Sequence, residues 1–485
     1  MRRSPLFALA FAAVAACSGT TSLPTYEAAT SAGGGGSSGA AGSGGSAGAS
    51  GGAAKSGFHV TGGFLRDESG RAVLARGMNL AGSHKSPPYF GFQEAPDYAL
   101  LHDQLGMSAI RFLVIWAAIE PQKGQYDDAY LDEVEKRIGW AEDAGLLVIL
   151  DMHQDVFGEG FNGDGAPRWA CDESRYASFK PQSSWFLNYL TPEVTACFDD
   201  FYASSELRGH YDEAWKRLAA RVKGHANVVG FDVMNEPFWG SASTMTFEHD
   251  VLEPFYEEVV GAVREVAPGW VAFLEPASSR NVGFPTSLVP FSVPDVVYAP
   301  HAYEATAEQG MPFTQSGVSH FEKHIQDLQD DATYLGTALW IGEYGSLGDL
   351  PGLDLYMDAA YEGAGKVAAP NVYWAYDRSE GYGPWNTDGS EKPALLDAIV
   401  RPVPERVAGD PISFSHDRST GLFTFAYRPD RTIAAPTIVS LPARAYPNGF
   451  SVDCGGCEQH VEANRLVITK PAEGDTVTVR VSPAS

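Results

Sequence analysis

Two glutamates stand just past short apolar runs. Glu236 follows Val228–Met234 in the string Val233-Met234-Asn235-Glu236-Pro237. Glu343 follows Ala338–Ile341 in Ile341-Gly342-Glu343-Tyr344-Gly345. Two carboxyl groups facing one cavity suit the splitting of a glycosidic bond: one protonates the departing oxygen, the other meets the cationic sugar carbon. A lone glutamate at a strand end is more often a structural hydrogen-bonding group, so the pair and its neighbours carry the reading. Arg111, inside another apolar run, is a counter-charge able to keep a carboxylate ionised. Asn235 can bond a sugar 2-hydroxyl. His153, Gln154 and Asp155 follow a third run and His301 and Tyr303 a sixth. Trp374, at the end of the eighth, offers a sugar ring a flat floor.

These positions need strands that all end at one face. Eight short runs fit: Val73–Leu80, Ala109–Ile115, Leu147–Met152, Val228–Met234, Trp270–Leu274, Val296–Ala299, Ala338–Ile341 and Val372–Ala375. They are rich in β-branched and aromatic residues and apolar on both faces, as buried parallel strands are. Between them Leu131, Val134, Ile138 and Ala141, then Trp215, Leu218 and Val222, recur at helical spacing. The pattern predicts a (β/α)8 barrel, which places reacting groups at the carboxyl ends of its strands. A doubly wound sheet would want a glycine-rich turn after the first strand, and Met78-Asn79-Leu80-Ala81 is not one. After about Arg401 the period changes to two. Phe423, Phe425 and Tyr427, then Val477, Val479 and Val481, alternate with their neighbours, and prolines punctuate the stretch. Residues 56–400 are read as the barrel and 401–485 as a small β-sandwich.

The chain has 485 residues and a formal charge of −27. So acidic a protein is a poor partner for nucleic acid or anionic lipid headgroups. Arg2 and Arg3 precede a short apolar stretch ending Val14-Ala15-Ala16-Cys17, which resembles the lipobox of bacterial lipoproteins. Residues 1–17 are therefore expected to be an export signal, with Cys17 lipidated and the protein held in the cell envelope or secreted. Residues 18–55 are read as a tether. Within them 31–54 contain only Gly, Ser and Ala, a flexible stretch spanning roughly 25–30 Å. Three G-x-S-x-G matches in it lack the strand and helix a nucleophile elbow requires. The other cysteines form an even set in an oxidising compartment. The favoured pairing is Cys171–Cys197 and Cys454–Cys457, because each pair falls within one expected domain. Cys454-Gly455-Gly456-Cys457 has no second ligand pair for a metal. No metal or organic cofactor is expected.

Asn235-Glu236-Pro237 with Gly342-Glu343-Tyr344-Gly345 resembles glycoside hydrolase family 5. Within that family Asp151-Met152-His153-Gln154-Asp155-Val156-Phe157, Lys85-Ser86-Pro87-Pro88-Tyr89 and the appended sandwich look like the endoglycoceramidases. The likeness spans residues 58–485. It implies that Glu236 is the acid/base and Glu343 the nucleophile of a retaining reaction. It also implies that Lys85, His153, Asp155, Asn235, Trp185, Tyr303 and Trp374 contact the sugar beside the scissile bond, with Trp169 a rival to Trp185. Glu343 is then expected ionised and Glu236 protonated in the resting enzyme. The loop from Phe157 to Phe198 and the loop after Glu236 are rich in aromatic residues. An apolar rim there would suit a lipid leaving group such as ceramide, or would simply be the core of a long loop. The implied activity is release of oligosaccharide from ceramide by a monomer. A polysaccharide endo-β-glycanase, an enzyme preferring galactosylceramide-type lipids and a glycan-binding lipoprotein are the alternatives.

Overall fold

The first apolar run breaks in two, and the break explains how the molecule is assembled. A computed structural model describes residues 57–484 apart from Gly82 and Glu380. The expected export signal, Cys17 and the expected tether lie outside the described residues. Strands β1 (His59–Thr61), β2 (Phe64–Arg66) and β3 (Ala72–Val73) form an antiparallel set. The chain then leaves that sheet at Leu74 and Ala75 and begins the barrel with β4 (Arg76–Leu80). The barrel continues with β5 (Ala109–Ile115), β6 (Leu147–His153), β7 (Val228–Asp232), β8 (Val271–Leu274) and β9 (Val296–Tyr298). Its seventh strand is interrupted at Trp340, giving β10 (Ala338–Leu339) and β11 (Ile341–Tyr344). The eighth is β12 (Asn371–Tyr376).

All barrel neighbours pair in parallel, in the order β10-β9-β8-β7-β6-β5-β4-β12-β11, so the broken seventh strand closes the ring. The expected (β/α)8 architecture is present. Every residue of β5 and β6 is buried, as strands covered on both faces must be. The strands crowd closely: a Cβ on Gly230 would collide with the carbonyl of Val271 on the next strand. The helix Asp128–Asp143 starts where the Asp127 side chain accepts the Tyr130 amide, and buries Leu131, Val134, Ile138 and Ala141. The helix Ser205–Val222 starts at a Ser204 cap and buries Trp215, Leu218 and Val222.

The remaining strands build the sandwich: β13 (Val403–Val407), β14 (Gly409–Asp417), β15 (Leu422–Pro429), β16 (Thr437–Ser440), β17 (Phe450–Asp453), β18 (Glu458–Glu462), β19 (Arg465–Lys470) and β20 (Val477–Pro483). One sheet runs β14-β15-β20-β17. The other runs β1-β2-β3-β13-β16-β19-β18, so three strands from before the barrel extend it. Phe423, Phe425 and Tyr427 pack with Val477, Val479 and Val481 in the core between them, on the alternation the sequence gives. Cys171–Cys197 and Cys454–Cys457 are disulfides. Arg401, buried beneath the sandwich, bonds Asp358 of the helix Leu353–Lys366 and lies 4.1 Å from the Tyr361 ring centroid, joining barrel to sandwich.

Candidate active site

Arg111 points from the middle of β5 into the barrel and is 1% exposed. Its guanidinium carries five donors in a fixed fork, and the strand ends supply an acceptor for each direction. Nε donates to Asp232 at 3.0 Å. Nη1 donates to Asn79 at 3.2 Å and to Glu343 Oε1 at 2.8 Å. Nη2 donates to Asn235 Oδ1 and Glu275 Oε1, both at 3.0 Å, and lies 3.0 Å from Asp151 Oδ1.

Glu343 is thereby fixed on one oxygen. Its other oxygen, Oε2, accepts the Tyr303 hydroxyl at 2.8 Å. Burial pushes its pKa above the usual carboxylate range, while His301 and Arg111 pull it back toward the charged form. Glu236 sits four residues past β7 on a backbone with φ +43°, a conformation that non-glycine residues hold only when their surroundings enforce it. The enforcement is visible: the Glu236 amide donates to Glu275 Oε2 at 3.0 Å, and Gln154 donates to the carbonyls of Asn235 and Glu236. Glu236 Oε1 accepts Asn281 Nδ2 at 2.9 Å and lies 2.9 Å from His301 Nδ1.

His301 links the two glutamates. Its Nδ1 is 3.4 Å from Glu343 Oε2, and its Nε2 is 3.1 Å from Glu275 Oε1. Burial works against a charge on the ring, but Glu275, Glu343 and the bond to Glu236 more than offset it and hold the imidazole well above its ordinary pKa. His301 Nδ1 thus faces carboxylate oxygens of both glutamates. Oxygens of Glu236 and Glu343 and a nitrogen of His301 all lie within 4.8 Å of one another.

A second cluster lies over β4, β6 and β12. Lys85 pairs with Asp155, and its ammonium is 4.4 Å from the Trp374 ring centroid. His153 stacks on Trp374 at 5.4 Å, interplanar angle 14°, and bonds Asp151 through Nδ1 at 2.7 Å. Burial and Lys85 lower the His153 pKa, but Asp151 and the bonds to Asp151 and Asp155 raise it to about 9. Asp155 is held below the carboxylate range: burial opposes the charge, but Lys85 and His153 outweigh it.

The structure thus brings together Glu236, Glu343, Arg111, Asn235, His301 and Tyr303, and beside them Lys85, His153, Asp155 and Trp374. One proton of Asn235 Nδ2 is used by the Gln154 carbonyl, leaving the other for a ligand hydroxyl. Trp169 is elsewhere: its indole donates to the Glu120 carbonyl and packs edge-on against Trp116 and His210. Trp185 is 55% exposed and contacts Phe186 and Tyr189, and Tyr189 in turn packs on Phe238 just past Glu236.

Sequence reading missed Glu275, Asn281, Asp232, Asp164 and Glu308. Glu275 follows β8 directly, so the rule that found Glu236 would have found it. Asp164 lies against Lys85 and Asp155, and burial and the Asp155 charge raise its pKa to about 7 against the pull of Lys85. Glu308 accepts the Tyr382 hydroxyl at 2.8 Å, and burial pushes it to about 8, with Glu236 and Glu343 adding to the rise.

Comparison with known proteins gives this arrangement a family. The sequence model for cellulase (glycosyl hydrolase family 5) matches residues 66–380, and that for the glycoside hydrolase family 5 C-terminal domain matches 401–481. Endoglycoceramidase I of Rhodococcus hoagii is 27% identical over 450 residues, covering 87% of each chain. The solved endo-glycoceramidase II of a Rhodococcus species, in its ganglioside GM3 complex, is 31% identical with TM-score 0.78, covering 88% of this chain and all of that one. The same enzyme has been solved as a lactosyl-enzyme intermediate, at 31% identity and TM-score 0.77 over 87% of this chain and all of that one. An endogalactoceramidase structure, 22% identical with TM-score 0.72 over 88% of this chain and all of that one, shares the fold. The chain is a glycoside hydrolase and belongs to glycoside hydrolase family 5.

Proposed function

We propose that the protein is a retaining endo-β-glycosidase that cleaves the bond between an oligosaccharide and ceramide. The observation that carries it is the Glu236–His301–Glu343 triangle, with oxygens of the two carboxylates within 4.8 Å of each other. Retaining enzymes hold their carboxyl groups about 5–5.5 Å apart, and inverting ones about 6.5–9.5 Å, to admit a water.

In this reading Glu343 attacks the anomeric carbon from the Arg111 and Tyr303 side. Glu236 protonates the departing oxygen as the glycosidic bond breaks. Forming the glycosyl-enzyme removes the Glu343 charge, and Glu236 then accepts a proton from the water that releases the sugar. Lys85, His153, Asp155 and Trp374 hold the sugar next to the bond: Trp374 offers a ring face, while the charged groups meet hydroxyls. The Rhodococcus enzyme with bound ganglioside supports the lipid substrate. So do the exposed apolar side chains on loops at the carboxyl end of the barrel: Trp185 and Leu190 after β6, Met245 after β7 and Met311 after β9. They are suited to a leaving group with hydrocarbon chains. Trp185 contacts Tyr189, which packs on Phe238 two residues past Glu236, the residue that faces the leaving group in this reading.

The test is incubation with lactosylceramide in detergent, with lipid and sugar products separated. Free lactose plus ceramide is the expected result. Release of monosaccharide alone, or inactivity on the lipid while a soluble β-glucan is depolymerised, would overturn the reading.

We also propose that the chain is exported and anchored in the cell envelope through lipidated Cys17. The Val14-Ala15-Ala16-Cys17 string and two disulfides, which suit an oxidising compartment, support this. Labelled fatty acid should enter the wild-type protein and not C17S; equal labelling, or none in either, defeats the proposal.

A further inference from the structure

Glu248 is 2% exposed and lies outside the cluster just described, at the start of a π-helical turn, Glu248–Leu252. Such turns are rare and are frequently found near functional sites. Its carboxylate is spent on one segment. Oε1 accepts the amide of Ala277 at 2.8 Å. Oε2 accepts the hydroxyls of Thr286 at 2.8 Å and Ser287 at 2.9 Å, and the Ser287 amide as well. These four bonds hold the connection from β8 to β9 at two points, near its start at Ala277 and at its middle at Thr286 and Ser287. One turn later Glu253 takes the Val289 amide at 2.7 Å.

Between the two held points lies Asn281, 3% exposed. Its Nδ2 holds Glu236 Oε1, its carbonyl accepts the Tyr303 amide at 2.9 Å, and its Oδ1 accepts the His301 amide at 3.3 Å. The loop therefore reaches three members of the site, and a buried carboxylate that touches none of them holds it on either side of Asn281, while Arg280 pairs with Asp331 in between. Buried charge-assisted bonds are about twice as strong as neutral ones, so a carboxylate with four donors is a firm anchor.

We propose that Glu248 is a positioning residue for the reaction: by clamping the loop after β8 it holds Asn281 against Glu236 and so aims the carboxyl that protonates the leaving group. The inference rests on the acid/base role proposed above for Glu236. A misaimed acid slows departure of a poor leaving group and matters little for one that leaves unprotonated.

The experiment compares kcat/KM for two lactosides, one of ceramide and one of an activated nitrophenol, in wild type, E236A, N281A, E248Q and the double variant E248Q/N281A. E236A sets the reference: if it fails to lower the ceramide substrate far more than the aryl one, the acid/base reading itself falls. Given that reference, E248Q should lose about tenfold or more on the ceramide substrate and less than about threefold on the aryl substrate. Adding E248Q to N281A should cost little further, since residues acting through one contact are non-additive. Because E248Q can also weaken folding, T286V/S287A, which removes two donors from the loop side, serves as a second probe and should show the same split in smaller measure. Equal losses on both substrates, additive losses with N281A, or no loss in either probe would overturn the proposal.

Discussion

Arg111 on β5 and Arg76 on the neighbouring strand β4 are buried to the same degree, at 1% and 2% exposure. Arg111 is surrounded by acceptors on every donor. Arg76 makes one side-chain hydrogen bond, to the Tyr344 hydroxyl at 2.8 Å, and lies 5.0 Å from the Tyr361 ring centroid. Its Nε and Nη1 find no hydrogen-bond partner among the described residues. At the mouth, six polar side chains from five strands converge on one cation, at a desolvation cost that packing alone would not justify. At the junction with the sandwich, a cation rests against an aromatic face. Burial of a charge thus says little about function; the number and origin of its partners says more.

The sharpest way to break this comparison is to remove the carboxylate that Arg111 steadies. E343Q should lose turnover by about 10³-fold or more on any lactoside, with the fold retained by circular dichroism. R111K comes next. Lysine keeps the charge but not the fork, so kcat should drop about a hundredfold while the melting temperature moves only modestly. A loss under about threefold would mean that Arg111 resembles Arg76 after all.

A third buried group, His153, tests how strongly the neighbouring corner depends on pH. His153 is raised to about 9 from its ordinary 6.5, so its charged form stabilises the fold fully below about pH 6.5 and progressively less as pH rises through 9. The stability gap between wild type and H153Q, measured by urea unfolding, should be widest below pH 6.5 and shrink by pH 9.5. A gap that widens with pH would contradict the pairing with Asp151 and Asp155. The smallest effect belongs to R76M. Replacing a poorly partnered cation by an apolar chain should leave kcat within about twofold and shift the melting temperature by no more than about 4 °C in either direction.

The barrel was legible because its strands are covered on both faces and therefore read as unbroken apolar runs. The same rule located Glu236, Glu343, Asp155 and His301, since chemistry follows the end of a run. It did not show that Val73–Leu80 serves two sheets. Both halves are buried, and burial on either side of Leu74 and Ala75 looks alike in a sequence. Asn281 and Glu308 stand in loops with no periodicity, placed by contacts to Glu236 and Tyr382 far away in the chain. Trp185 and Trp169 could not be separated, because both sit in a long insertion whose path depends on its own packing. The anchor Glu248 left no trace either: its partners Ala277, Thr286 and Ser287 are distant in the chain.

Strands β1 to β3 come before the barrel and β13 comes after it, yet they share one sheet. Topologically, the catalytic body is an insertion within the accessory domain. A recombinant fragment trimmed to begin at residue 76 would expose the flank of β13, and one spanning 401–485 would lack the same three strands. Any attempt to dissect the enzyme, or to graft its C-terminal module onto another barrel, has to carry residues from both termini.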